Sequence, residues 1–201
     1  FIVGELDEGN SVAETGSQHY ATLQAAIDAV ESEEQIVTLN RNTTENVTIP
    51  EDKSIVLELN GKTLSGGSDN EAAHKDKPAL TNNGTVVIQD SAGGGTICRG
   101  DEGTNGYYTI DNQGVMTIES GTVCNTVGVK NQEGIISGSS LIRNAGAGKA
   151  ATLTINGGDI HQDGFIVIKN DDNGILVVNG GTITGTGSDE KNTVSAVQNW
   201  G

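Results

Sequence analysis

Two hydrophobic rhythms divide this chain near residue 34. Upstream, Tyr20, Leu23, Ile27 and Val30 recur every three or four positions, which predicts an amphipathic helix over residues 19–31 with Thr22 as its N-cap. Downstream, starting with Ile36, Val37 and Leu39, the pattern turns to short alternating segments broken by Gly and Asn. That alternation belongs to strands whose side chains point in turn to opposite faces.

The strand segments repeat. Five of them share an apolar residue, a spacer and an asparagine: Leu80-Thr81-Asn82, Ile110-Asp111-Asn112, Ile142-Arg143-Asn144, Ile168-Lys169-Asn170 and Val197-Gln198-Asn199. The asparagines stand 30, 32, 26 and 29 residues apart, each followed closely by glycine. A second set of segments aligns at Val86/Ile88, Met116/Ile118, Leu153/Ile155 and Leu176/Val178. A third follows a glycine, at Thr96-Ile97, Thr122-Val123, Asp159-Ile160 and Thr182-Ile183.

Three strands per repeat form a coil with too little apolar surface to stand alone, so the coils must stack. Stacking places equivalent strands side by side in parallel, and parallel crossovers are right-handed. The expected fold is therefore all-β, a right-handed parallel β-helix (solenoid) with an N-terminal capping α-helix. Residues 1–34 form the capping segment, and 35–201 form about five coils, the last of them incomplete. Leu80, Ile110, Ile142, Ile168 and Val197 become one core column. Asn82, Asn112, Asn144, Asn170 and Asn199, two positions on, become an inward structural ladder whose amides bond one another at a turn. Loops of unequal length are expected at Ser68–Pro78, Arg99–Tyr107 and Gly185–Thr193.

Residues Tyr20–Val30 resemble the helix that precedes the first coil of pectate-lyase-like β-helices, and the asparagine ladder is similar to one found in that superfamily. The wording of Leu59-Asn-Gly-Lys-Thr-Leu64 and Thr81-Asn-Asn-Gly-Thr-Val-Val-Ile88 resembles repeat regions of large Gram-positive bacterial cell-surface proteins. The resemblance implies the β-helix fold and an extracellular or cell-surface location. It implies little about activity, because one fold hosts many functions.

Composition narrows the partners. The net charge is −16, from 27 acidic against 11 basic residues. No basic stripe is available to displace counterions, so nucleic acid is not an expected partner, and the same field repels anionic membranes and polyuronates. No apolar run is long enough for membrane insertion. The sequence reads as a secreted, acidic piece of a longer polypeptide.

Pectate-lyase-like enzymes resemble one another in clustering carboxylates beside a bound sugar, either to hold calcium or to act as acid and base. The best local match here is Asn170-Asp171-Asp172-Asn173-Gly174, which makes Asp171 and Asp172 the candidate catalytic residues. The same run also reads as a solvated turn or a calcium-binding turn, and no other cofactor is expected. Arg99, Lys130, Arg143, Lys149 and Lys169 are each isolated in sequence, and Tyr107-Tyr108 is the one aromatic pair. Cys98 and Cys124 hold equivalent places on neighbouring coils and can be a disulfide or two stacked thiols. His161 continues their column, but the ligand spacing is not that of a metal site, and none is expected. Arg99-Gly100-Asp101 spells an integrin-recognition tripeptide that a Gly- and Asp-rich chain produces by chance.

The expected function is a non-enzymatic module of an extracellular protein, acting as an adhesin or rigid spacer. Its partners would be adjacent domains or copies of itself through the C-terminal end, or a host glycan or protein. The alternatives are a carbohydrate-active β-helix enzyme with an incomplete site, and a subunit that polymerises end to end.

Overall fold

A computed structural model of the chain describes residues 6–7, 9–31, 35–67, 73–74, 76–99, 107–125, 129–130, 136–137, 139–163, 165–186 and 195–200. The architecture is all-β, with three large sheets and a two-stranded ribbon formed by Val129–Lys130 and Ile136–Ser137. The first sheet has eight strands. Its six successive parallel members are Gln35–Leu39, Ser54–Glu58, Thr85–Gln89, Val115–Ile118, Ala151–Ile155 and Gly174–Val178. The second sheet runs Thr43–Thr44, Thr63–Ser65, Thr96–Arg99, Thr122–Asn125, Asp159–Asp163 and Thr182–Thr186. The third runs Val47–Ile49, Leu80–Asn82, Ile110–Asn112, Ile142–Asn144, Ile168–Asn170 and Val197–Asn199. The chain visits the three sheets in turn and then moves one place along each. This order is compatible with a parallel β-helix.

Six such circuits are present, one more than the asparagine repeat predicts. Ile49 is the reason. It pairs in register with Asn82 and stands at the foot of the ladder, so the first circuit lacks the residue that marks the others.

Period-two alternation sets which side chains fill the interior. In the first sheet Leu57, Ile88, Ile118, Ile155 and Val178 are successive register partners. In the third, Val47, Leu80, Ile110, Ile142, Ile168 and Val197 follow one another. The middle of each column is sealed, with Ile88, Ile118 and Ile155 at 0% exposure, but Val178 is 51% exposed. Glycines at the turns let successive coils approach closely: a Cβ on Gly84 would lie 2.2 Å from the Pro50 carbonyl, and one on Gly114 would lie 2.1 Å from that of Gly84.

The outer side of the first sheet is equally regular. One outward column is Ser54, Thr85, Val115, Thr152 and Ile175. The next is Ile36, Val56, Val87, Thr117, Thr154 and Val177. Neither column contains a charged residue.

The N-terminal end is closed differently from the expectation of a helix over residues 19–31. Gln18–Tyr20 is a strand antiparallel to Ala13–Thr15, which itself pairs antiparallel with Gln35–Leu39. The helix, α1, covers only Leu23–Asp28. Tyr20 is drawn into the sheet because its carbonyl accepts from the Val12 amide at 2.8 Å, while Gly16, at φ +60°, makes the tight turn before it. Thr22 caps α1 by accepting from the Ala25 amide at 3.1 Å. The Glu45 carboxylate takes the Leu23 and Gln24 amides at 2.9 and 3.2 Å, satisfying donors that a helix start leaves open. Leu23, Ala26 and Ile27 are buried against the first circuit.

Candidate functional site

The spacer residues of the five repeats define the outer column of the third sheet. Strand alternation turns Thr81, Asp111, Arg143, Lys169 and Gln198 outward, because their apolar and asparagine neighbours face in. Arg143 and Lys169, isolated in sequence, are register partners on adjacent strands. Asp171 lies just beyond them. Its Oδ2 is 3.0 Å from Lys169 Nζ and 3.6 Å from Arg143 Nε. Arg143 Nη1 also reaches Asp111 Oδ2 at 3.5 Å, so two carboxylates and two cations interleave. The Arg143 guanidinium lies 5.6 Å from the Tyr108 ring centroid, within cation–π range.

Asp111 is the most buried acid of this cluster, with its side chain 5% exposed. Burial raises its carboxyl above the ordinary aspartate value. A 3.0 Å hydrogen bond from Gln113 and the charge of Arg143 pull it back down, and the charge of Asp171 adds a smaller upward push. Asp111 Oδ1 has no hydrogen-bond partner among the described residues.

Beside the cluster is a cleft of about 680 Å³, bordered by Arg143, Lys169, Asp171, Asp172, Asn173 and Trp200. Asp172 is exposed on the turn, and Asn173 takes a left-handed conformation at φ 62° that carries the chain into Gly174. Trp200 is 62% exposed and anchored by its amide, which donates to the Asn170 carbonyl at 2.9 Å. The two candidate aspartates therefore differ. Asp171 is committed to two cations, and Asp172 faces solvent at the rim. Both contacts are made by the one oxygen, Asp171 Oδ2. The cleft offers a polar surface with one indole at its border.

The ladder asparagines are brought together. Asn82 Nδ2 donates to Asn112 Oδ1 at 2.8 Å, Asn112 to Asn144 at 2.7 Å, Asn144 to Asn170 at 2.6 Å and Asn170 to Asn199 at 2.7 Å. Asn82, Asn112, Asn144 and Asn170 are buried and Asn199 is exposed at the end of the row.

Cys98 and Cys124 are register partners on the second sheet. Of the two arrangements the sequence left open, a disulfide or stacked thiols, the structure has the two sulfurs side by side and not bonded to each other. Parallel partners keep roughly the strand spacing of about 4.8 Å between their Cβ atoms, wider than the ~3.8 Å typical of a disulfide. Burial pushes the Cys124 thiol up to about 11, with Cys98 and Asp159 adding to the effect. His161 continues the column and is 3.3 Å from Asp159, but no group of metal-ligating side chains occurs among the described residues.

Arg99 is 2% exposed and donates to the carbonyls of Lys77, Tyr107 and His74 at 2.8, 3.1 and 3.3 Å. It tethers loops and is not displayed for recognition; Gly100 and Asp101 lie outside the described residues, as do most of the three long loops.

Sequence reasoning named Asp171 and Asp172 but missed Asp111 as a partner of Arg143. The signal was present in the repeat alignment, where the spacers Asp111, Arg143 and Lys169 occupy one register. No helix among the described residues is long and apolar enough to cross a membrane. No protein-family model, curated protein or solved structure matches the chain.

Proposed function

We propose that this chain is a right-handed, pectate-lyase-like β-helix serving as a non-enzymatic module of an extracellular bacterial protein, an adhesin or rigid spacer. In this reading α1 and the two antiparallel strands cap one end, and the other end receives a further coil from an adjacent domain. The observation that carries it is the gradient along the core columns. Ile155 and Ile168 are 0% exposed, whereas their next partners Val178 and Val197 are 51% and 38% exposed, with Trp200 beside them. Among the described residues nothing covers that inner face. Edge strands with apolar side chains invite pairing, and terminal coils depend on neighbours for stability. The ion-paired state of Asp171 also favours a binding or structural role over a hydrolytic one.

The test is to append a second copy of residues 174–201 after Gly201. A receptive end will order the added coil, raise Tm and protect the amides of Ile175–Val178 from hydrogen exchange. An appended segment that stays unfolded, with unchanged Tm and unchanged exchange, overturns the reading.

A further inference from the structure

We propose that the C-terminal end of the coils takes a further coil of defined side-chain chemistry, with an acceptor (Asn or Asp) stacked on Asn199 and a donor (Asn or Lys) stacked on Asn179. The inference rests on the reading that this end receives a coil, and it names which coil fits. Two rows of polar side chains carry it, and they run in opposite directions. The buried asparagine ladder sends its donors toward the C-terminal end. Each Nδ2 meets the next asparagine and also a backbone carbonyl of the next coil: Val115 at 3.0 Å from Asn82, Thr152 at 3.0 Å from Asn112, and Ile175 at 3.1 Å from Asn144. A carbonyl only accepts, so these contacts fix which end of each amide is the nitrogen. At the last rung Asn199 Oδ1 takes the Asn170 amide at 2.7 Å, and Asn199 Nδ2 has no partner among the described residues.

The second row is exposed and lies where the first-sheet strands end, one residue past the register partners Ile118, Ile155 and Val178. Asn179 Nδ2 donates to Asn156 Oδ1 at 2.8 Å, and Asn156 Nδ2 donates to Glu119 Oε1 at 2.8 Å. Gln89 keeps the same direction, donating to Glu58 at 3.0 Å. An ionised carboxylate can only accept, so Glu119 sets the orientation of Asn156, and Asn156 sets that of Asn179. Asn179 Oδ1 is left as an acceptor with no partner among the described residues.

The open end therefore carries an unmatched donor at Asn199 and an unmatched acceptor at Asn179, and one incoming coil reaches both. A parallel strand laid in register on Gly174–Val178 brings apolar residues over Leu176 and Val178, and its next residue over Asn179. Val178 and Asn179 already stand in this way over Ile155 and Asn156. A slip of one residue exchanges inward and outward side chains and removes the match. The same coil then closes its third-sheet strand over Val197–Asn199, where the residue above Asn199 must accept. An amide serves at both places; of the charged side chains, Asp serves only over Asn199 and Lys only over Asn179.

The experiment uses the chain with residues 174–201 repeated after Gly201, and places four substitutions one at a time in the added copy: Asn199→Asp, Asn199→Lys, Asn179→Lys and Asn179→Asp. Hydrogen exchange of the original Ile175–Val178 and Val197–Asn199 amides is read in high sodium chloride, which screens the net charge. Asn199→Asp and Asn179→Lys should keep the protection given by the unsubstituted copy. Asn199→Lys and Asn179→Asp should each lose about fivefold in protection at the strand they cover, the worth of one net hydrogen bond. Residual repulsion within an acidic chain cannot imitate this result, because it favours Lys at both positions. An unsubstituted copy that stays unfolded overturns the reading of the end, and this inference with it. A copy that orders but protects equally in all four variants, prefers one charge at both positions, or discriminates at one position alone overturns this inference and leaves the receptive end standing.

Discussion

Asn112 accepts a hydrogen bond from Asn82 and donates one to Asn144, so a single amide joins three successive coils at 2.8 and 2.7 Å. Its Nδ2 also meets the Thr152 carbonyl at 3.0 Å. Removing it strands buried partners on both sides, and an unsatisfied buried polar group costs about 1–3 kcal/mol. Asn112→Ala should therefore lose about 2–4 kcal/mol in urea unfolding. Asn199→Ala, at the exposed end with one neighbour, should lose under about 1 kcal/mol. Equal losses at both positions would mean the ladder is not a cooperative row.

Ile155 and Val178 are register partners with opposite surroundings, at 0% and 51% exposure. Ile155→Asp places an unpaired carboxylate among Ile118 and its neighbours and should abolish folding at neutral pH. Val178→Asp leaves its carboxylate hydrated and should lower Tm by only a few degrees. Circular dichroism melts of the two variants settle the matter, and a soluble, normally melting Ile155→Asp chain would contradict the inward column.

Asp111 gives the cluster a pH signature. Its folded carboxyl titrates above the ordinary value of 3.8, chiefly because burial disfavours the charge. In the window above 3.8 the folded chain holds more protons at this site than the unfolded chain, so this site's contribution to stability falls as pH rises and levels off above the folded value. Asp111→Asn should remove that decline, making the variant progressively more stable relative to wild type from pH 3 toward 7. Arg143→Met removes the cation that lowers Asp111 and should steepen the decline. Urea titrations at several pH values report both slopes.

The two thiols should react unequally. With its value near 11 and 6% exposure, Cys124 is ionised in roughly one molecule in a thousand at pH 8. Iodoacetamide should therefore modify Cys98 first, and Cys124 should react on that timescale only after unfolding. Mass spectrometry of peptides containing each cysteine distinguishes this from equal labelling.

Polygalacturonate should survive incubation with the chain, with or without calcium. A net charge of −16 repels a polyuronate, and the cations nearest the cleft, Arg143 and Lys169, are already paired with Asp171. Release of unsaturated uronates, read by ultraviolet absorbance and lost in Asp171→Ala, would restore the lyase reading.

The sequence by itself determined the repeat and the direction of its side chains. Alternation at Leu80/Asn82, Ile110/Asn112 and their equivalents is a local property of extended backbone, and its recurrence specifies three parallel sheets with an apolar interior. It also specified Thr22 as a cap, because the oxygen that meets the Ala25 amide is three residues away. Only the tertiary structure decided the rest. Tyr20 has a place in a helical pattern, yet pairing with Ala13 and Val12 draws it into a strand, since a sheet edge satisfies more of its backbone than one more helical turn. Ile49 gives no sign of its coil, because apolar packing at the foot of the ladder replaces an amide that would have no partner below. Cys98 and Cys124 share a register without a bond, since strand spacing and not sequence sets the separation of their Cβ atoms. Asp111, Arg143 and Asp171 are dispersed over three successive coils of sequence, and their charges meet only because the coils stack in register.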